Sequence, residues 1–318
     1  MALGSRFDDR VTGRLRDFCP SARKIHIDID PSSINKNVAV DLPIVADAGA
    51  ALRALIAAWK EDATPVDTKA IASWWRTIDQ WRARDCLRYR QATAAGSIIK
   101  PQYAVQRLYE LTKASGRKTF ITTEVGQHQM WAAQYFKFET PNHWMTSGGL
   151  GTMGYGLPSA MGVQVAHPDG LVIDIAGEAS ILMNIQEMGT LAQYRLPVKV
   201  FILNNEYMGM VRQWQELLHG GRYSESYSAA LPDFVKLAES FHATGLRAKT
   251  VDELDGVIQK MLETPGPVIA DIAVDQKENC FPMIPSGAAH NEMILGPEDA
   301  APKGKDQPGV SEEGMVLV

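Results

Sequence analysis

The stretch from Gly177 to Asn205 constrains this chain more than any other. Leu171 to Ala176, apolar but for Asp174, leads into it and reads as a largely buried strand. The chain turns through Gly177, Glu178, Ala179 and Ser180. Ile185, Met188, Leu191 and Ala192 then follow at the spacing of one helix face. Val198 to Leu203 is a second, mostly apolar run, ending in Asn204 and Asn205. Strand, crossover helix and strand make a βαβ unit whose strands lie parallel with a right-handed connection. Both polar turns, at Glu178 and Asn205, fall at carboxyl ends of strands, where open α/β sheets bind ligands. The expected fold class is α/β, built on a parallel, doubly wound sheet.

Glu178 and Asn205 offer a carboxylate and an amide oxygen. These are donor types for a hard cation such as Mg²⁺, which completes its shell with water and phosphate oxygens. Gly177, Ala179 and Ser180 are small enough for a diphosphate to approach backbone N–H groups at the helix start. The same residues suit an ordinary βαβ unit with polar turns, and this stretch alone leaves both readings open.

A chain of 318 residues with 45% hydrophobic content can bury a sizeable core and is expected to form about two domains. Its net charge of −5, with no basic run, argues against a nucleic-acid partner. Cys19, Cys86 and Cys280 are too far apart for a metal cluster and read as free thiols of a cytoplasmic protein. No apolar stretch reaches the roughly 18 residues of a membrane span, and the N-terminus lacks the apolar segment of a signal peptide. From Pro297 onward the chain is rich in Gly, Pro, Lys and acids and is expected to be mobile.

Residues 1–60 read as the latter half of a Rossmann-like domain. Gly4 to Arg10 is a loop of closely packed charges, Lys24 to Asp30 alternates like a strand, Pro43 to Ala46 is a short second strand, and Ala50 to Lys60 is an alanine-rich helix. Asp28 and Asp47 at strand ends can bind ribose hydroxyls or amide edges of a nucleotide, or stand as solvated turn carboxylates. No GxGxxG loop precedes these strands, so the domain is expected to begin at its latter half. Residues 61–98 read as a helical connector. Trp74, Trp75 and Trp81 mix there with basic residues, but Asp79 and Asp85 interrupt the pattern, so the helix is expected to pack its tryptophans on the core.

A second domain is expected over 99–275. Pro101 opens a helix through Leu111, and Thr119 to Thr122 is a strand delivering Glu124 to Gln129 to the carboxyl edge. Gly148, Gly149, Gly151, Gly154 and Gly156 permit close approach of backbone to a ligand, or simply a tight loop, before Pro158 begins a helix through Ala166. Leu231 to Ala243 and Val251 to Glu263 read as helices. Pro267 to Val274 reads as the last strand of a five- or six-stranded sheet, followed by a tail over 276–318.

RFDDRVTG from Arg6 and HIDIDPSSINK from His26 resemble the central, FAD-binding domain of acetolactate synthase catalytic subunits. VGQHQMWAAQ from Val125 and EYMGMVRQWQ from Glu206 resemble the thiamine-diphosphate domain of the same family. The turn at Gly177 resembles that family's cofactor motif, which begins Gly-Asp-Gly and closes with Asn-Asn. Glu178 and Ala179 depart from it, the glutamate reaching one methylene further.

The resemblance implies three cofactors: thiamine diphosphate, Mg²⁺ and a structural FAD. Flavin contacts would come from Arg6, Asp8, Arg10, Asp28, Ile29, Asp47 and Ala48, with Gln129 towards the flavin. Thiamine diphosphate would lie against Val125, Gln127, His128, Gly151, Met153, Gly177, Glu178, Ala179, Ser180, Asn205, Tyr207, Met208, Gly209, Met210 and Val211. Mg²⁺ would be held by Glu178, Asn205 and the backbone carbonyl of Tyr207. Met153 would hold the cofactor bent, so that its 4′-amino group acts as internal base at the thiazolium C2. Met210 would line the substrate side and Trp214 would shape the pocket for the acceptor.

The implied reaction joins two 2-ketoacids with loss of CO₂, giving 2-acetolactate or 2-aceto-2-hydroxybutyrate, precursors of branched-chain amino acids. The implied partners are these small molecules, further copies in a dimer or tetramer, and a regulatory small subunit, with no nucleic acid and no membrane. The family's activating glutamate belongs to a separate N-terminal pyrimidine-binding domain. No residue here matches it, since Glu124 and Glu178 both lie in the diphosphate half, and the chain alone is expected to be inactive. The alternatives are another thiamine-diphosphate enzyme of pyruvate oxidase or glyoxylate carboligase type, and a non-catalytic cofactor-binding or assembly module. The Arg6 loop and the Met210-to-Trp214 stretch argue against the first of these.

Overall fold

The computed structural model describes residues 1–300. Residues 301–318, which include most of the stretch expected to be mobile and the end of the expected tail, lie outside them. The chain divides into two compact units, Met1–Cys86 with Phe281 onward, and Leu87–Cys280. Residues 61–86 of the expected connector thus belong to the smaller unit, and the expected tail divides after Cys280.

The smaller unit holds a three-stranded parallel sheet of β1 (Ala2–Leu3), β2 (Ile25–Asp28) and β3 (Leu42–Val45), in chain order. Its helices start on side-chain caps. The Asp8 carboxylate accepts from the N–H groups of Arg10 and Val11 at 3.1 and 3.2 Å to start α1 (Asp9–Thr12). Asp47 accepts from Ala50 at 2.9 Å to start α2 (Ala48–Glu61). Such caps satisfy orphan N–H groups and contribute about 1 kcal/mol each.

The next helix, α3 (Thr68–Arg82), corrects an expectation: none of its residues is buried, and Trp74, Trp75 and Trp81 are 56%, 50% and 52% exposed. Its apolar face meets no core. Trp74 instead packs edge-on against Trp81 at 5.4 Å, and the Arg82 guanidinium lies over Trp75.

In the larger unit, β4 (Thr119–Thr123), β5 (Trp144–Met145), β6 (Leu171–Ala176), β7 (Lys199–Asn204), β8 (Thr244–Ala248) and β9 (Val268–Ala273) form one parallel sheet ordered β5-β4-β6-β7-β9-β8. Every residue of β6 is buried, as its position inside the sheet demands. Alternation along the strands divides the core into two layers. Leu171, Ile173, Ile175, Phe201 and Leu203 pack into one, together with α4 (Pro101–Ala114), α5 (Gln127–Tyr135) and, later in the chain, Val251–Glu263. Val172, Ala176, Val200 and Ile202 pack into the other, with α6 (Gly156–Ala166), α7 (Glu178–Ile181), α8 (Glu187–Tyr194) and, beyond α9 (Gly209–Leu218), α10 (Phe234–Ser240). Each fully buried Leu, Ile or Phe contributes about 1.5–3 kcal/mol.

Four helices differ in their bounds from expectation: α2 spans Ala48–Glu61 instead of Ala50–Lys60, and α4 runs past Leu111 to Ala114. α6 starts at Gly156, making Pro158 its third residue, a first-turn position where a missing N–H breaks no helical bond. α10 is shorter than Leu231–Ala243 because Asp233 caps its start and His242, at φ 58°, turns left-handed after its end. Val251–Glu263, α11, has the expected bounds. Among the described residues no helix is long and apolar enough to cross a membrane.

Candidate active site

The chain leaves β4 towards β5 on one side of the sheet and runs from β6 to β7 on the other, so the crevice between β4 and β6 is a topological switch point. A cavity of about 500 Å³ lies at the carboxyl ends of these central strands. Val125, Gln127 and His128 reach it from the turn after β4, and Gly151 and Met153 from the glycine-rich loop. Gly177, Glu178, Ala179 and Ser180 line it after β6, and Asn205, Tyr207, Met208, Gly209, Met210, Val211 and Trp214 after β7. Residues separated by more than 80 positions in the chain thus meet because parallel strands end on one edge.

Sequence reasoning missed Gly126, Trp131, Leu203, Gln215 and His219 on the same wall. Trp131 lies one helical repeat after Gln127, and Gln215 and His219 continue the repeat from Val211, so helix periodicity carried their signal. Gln129 does not line the cavity; its amide donates to Thr146 Oγ1 at 2.6 Å.

The helix starts facing the cavity suit an anion. Neither α5 nor α9 has a side-chain cap at its N-terminus, so its first N–H groups are not taken by a neighbouring side chain. At the one-turn α7, Ser180 Oγ instead donates to the carbonyl of Gly177 at 3.1 Å and accepts its N–H at 3.3 Å. The glycine-rich loop is tied from below. Glu124 accepts from the N–H of Gly154 at 2.6 Å and of Leu157 at 3.1 Å, while Gly151 and Gly154 take φ angles of 75° and 86°.

Glu178 is buried and its Oε1 has no partner. Burial pushes its carboxyl up to about 8, although N–H groups of Glu178, Tyr207 and Asn205 pull the other way. An isolated buried carboxylate is costly, and a divalent cation beside it would hold it ionised. Among the described residues no three His, Cys, Asp or Glu side chains converge as a metal set. A set here draws on one carboxylate, the Asn205 amide and a main-chain carbonyl, which is the oxygen chemistry of Mg²⁺. The residues present fit such an ion. His128 is held neutral: burial pushes it down to about 3, and its Nε2 has no partner.

In the smaller unit, Arg6, Asp8, Arg10, Asp28, Ile29, Asp47 and Ala48 all lie at or just beyond the carboxyl ends of the three parallel strands. Arg6 pairs with Asp8 at 3.0 Å, Asp28 accepts from the N–H of Asp30 at 2.9 Å, and Ile29 is 72% exposed.

A doubly wound parallel sheet with a cavity of about 500 Å³ and an acid–amide pair at its carboxyl edge describes a class of cofactor enzyme. Residues 124–272 match the C-terminal TPP binding domain of thiamine pyrophosphate enzymes, and residues 1–55 match the central domain of those enzymes. The chain is 45% identical over 296 residues to the acetolactate synthase large subunit of Haemophilus influenzae, covering 93% of this chain and 50% of the relative. It is 45% identical over 297 residues to the acetolactate synthase isozyme 3 large subunit of Escherichia coli, covering 92% and 51%. With acetolactate synthase 1, chloroplastic, of Oryza sativa subsp. japonica it shares 44% over 302 residues, covering 93% and 46%. The chain is thus a homologue of acetolactate synthase large subunits and carries the central and C-terminal TPP binding domains of thiamine pyrophosphate enzymes. It spans about half the length of the curated relatives it matches.

Proposed function

We propose that this chain forms the cofactor-holding part of an acetolactate synthase, which joins pyruvate to a second 2-ketoacid, pyruvate or 2-ketobutyrate, with loss of CO₂. The observation that carries this reading is the single cavity lined by Glu178, Asn205 and the residues of the Val125 and Met210 segments. Bound thiamine diphosphate supplies an electron sink for the carbon that loses CO₂.

The chain's own residues divide the remaining work. The uncapped starts of α5 and α9 would receive the diphosphate, beside Gly177 and Ser180 on the same cavity wall. Glu178, Asn205 and the Tyr207 carbonyl would hold Mg²⁺. Met153, which lines the cavity from the glycine-rich loop, would pack against the cofactor. Met210 and Trp214 form the apolar wall that orients the acceptor and excludes water. In the smaller unit, the loops after β1, β2 and β3 would hold FAD in a structural role. The relatives' names, "large subunit", favour a smaller partner subunit, and the reading further assigns that partner a regulatory role, a homo-oligomeric assembly and the cytoplasm as compartment.

Calorimetry of thiamine diphosphate binding, with and without Mg²⁺, tests this reading. Metal-dependent binding by the wild-type chain, lost in Glu178→Ala, is expected. Binding that ignores both the metal and the substitution would sink it.

A further inference from the structure

The Asn205 amide must present its oxygen, not its nitrogen, to a cation, and the two ends of a carboxamide have nearly the same shape. Asn205 Oδ1 accepts the N–H of Tyr207 at 3.2 Å, and its Nδ2 donates to Gln127 Oε1 at 3.4 Å. That oxygen faces Asn205 because the other end of the Gln127 amide faces two acceptors. Its Nε2 donates to Gln213 Oε1 at 2.8 Å and to the carbonyl of Glu278 at 3.1 Å.

Gln213 is itself fixed by groups that cannot flip. The N–H of Cys280 donates to its Oε1 at 2.8 Å, and its Nε2 donates to the carbonyl of the same residue at 3.2 Å. Gln127, Gln213 and Cys280 are all buried, which strengthens these bonds. Glycine at 209 leaves them room, for a Cβ there would stand 2.1 Å from Gln127 Oε1 and 2.9 Å from Asn205 Nδ2.

We propose that Gln213, clamped by the main chain of Cys280, is a positioning residue that sets the amide polarity of Gln127 and through it turns the oxygen of Asn205 towards the cation. This rests on the Mg²⁺ reading of Glu178 and Asn205. Gln213 itself does not line the cavity, and its contact with the cavity wall is the bond to Gln127. Reversing any one amide sets oxygen against oxygen or nitrogen against nitrogen along the line, and the main chain at Cys280 gives the line its direction. Glu278 contributes a second fixed acceptor at the same point.

The test is a double-mutant cycle read as Mg²⁺ affinity by calorimetry at saturating thiamine diphosphate. Gln213→Leu removes the fixed acceptor and is expected to weaken Mg²⁺ about tenfold, the low end for loss of an outer partner of a metal ligand. In an Asn205→Asp background both oxygens of residue 205 are alike and there is no polarity to set. There, Gln213→Leu is expected to leave Mg²⁺ affinity unchanged. An equal loss in both backgrounds marks a merely structural role and overturns the proposal, as does wild-type affinity in Gln213→Leu. Glu178→Ala separates the underlying reading: if it leaves Mg²⁺ affinity unchanged, or if the wild-type chain takes up none, both the metal assignment and the relay fall.

Discussion

The hydroxyl of Thr122 donates to Asp174 Oδ1 at 2.9 Å inside the sheet, while the second oxygen of that carboxyl has no partner. Asp174 is wholly buried, and burial, reinforced by the charge of Glu124, raises its carboxyl well above the ordinary 3.8. Glu124 takes main-chain N–H donors from the glycine-rich loop, so the proton of the pair resides on Asp174.

This fixes the sign of a pH effect. The unfolded chain releases the Asp174 proton near 3.8 and the folded chain keeps it to higher pH. From 3.8 upward the folded state therefore binds more protons, and rising pH lowers stability until the buried group ionises. Asp174→Asn is expected to remove this slope, at most about 1.4 kcal/mol per pH unit. Urea unfolding of both proteins across that range checks it: parallel profiles would mean that Asp174 is ionised in the fold.

Two glycines of α6 are expected to respond oppositely to alanine. A Cβ at Gly156 would lie 2.2 Å from Asp174 Oδ1 and 2.7 Å from the backbone nitrogen of Glu124, which cannot give way cheaply. Gly156→Ala should cost on the order of 3 kcal/mol. Gly162 has nothing within 4 Å of the same position, so Gly162→Ala should stabilise by about 0.5–1 kcal/mol through helix propensity. Thermal unfolding of the pair decides; a shift of the same sign in both would contradict the packing described.

The three thiols should separate by reactivity. Cys19 and Cys86 are exposed, whereas Cys280 is buried and burial raises its thiol well above the ordinary value. A thiol-specific chromogenic reagent should label two groups per native chain rapidly and the third only on unfolding. Rapid labelling of all three would show that the Cys280 clamp on Gln213 opens readily.

The parallel sheet was legible because the apolar runs at Leu171 and Val198 are short, bounded and joined by a helical repeat. The cavity was legible because its walls are contiguous motifs at strand ends. What stayed hidden depends on partners remote in the chain. Lys199 interrupts the β7 run as a charge would on an exposed strand, yet its ammonium is buried and donates to the carbonyls of Thr264 at 2.6 Å and Gly266 at 2.5 Å. Gln213 reads as an ordinary polar position in a helix until Cys280, 67 residues later, is seen to hold it. The α3 tryptophans misled in the other direction, because an apolar helix face signals burial without naming what covers it.

That uncovered face has an optical consequence. Of the seven tryptophans, Trp59, Trp74, Trp75 and Trp81 lie in the smaller unit with 50–71% of their surface in water, while Trp131 of the larger unit is 2% exposed. Indoles already in water emit much the same light whether the chain around them is folded or not. Intrinsic fluorescence will therefore register melting of the larger unit, chiefly through Trp131, and will be nearly blind to melting of the smaller one. A single smooth emission curve would not show that the two units unfold together.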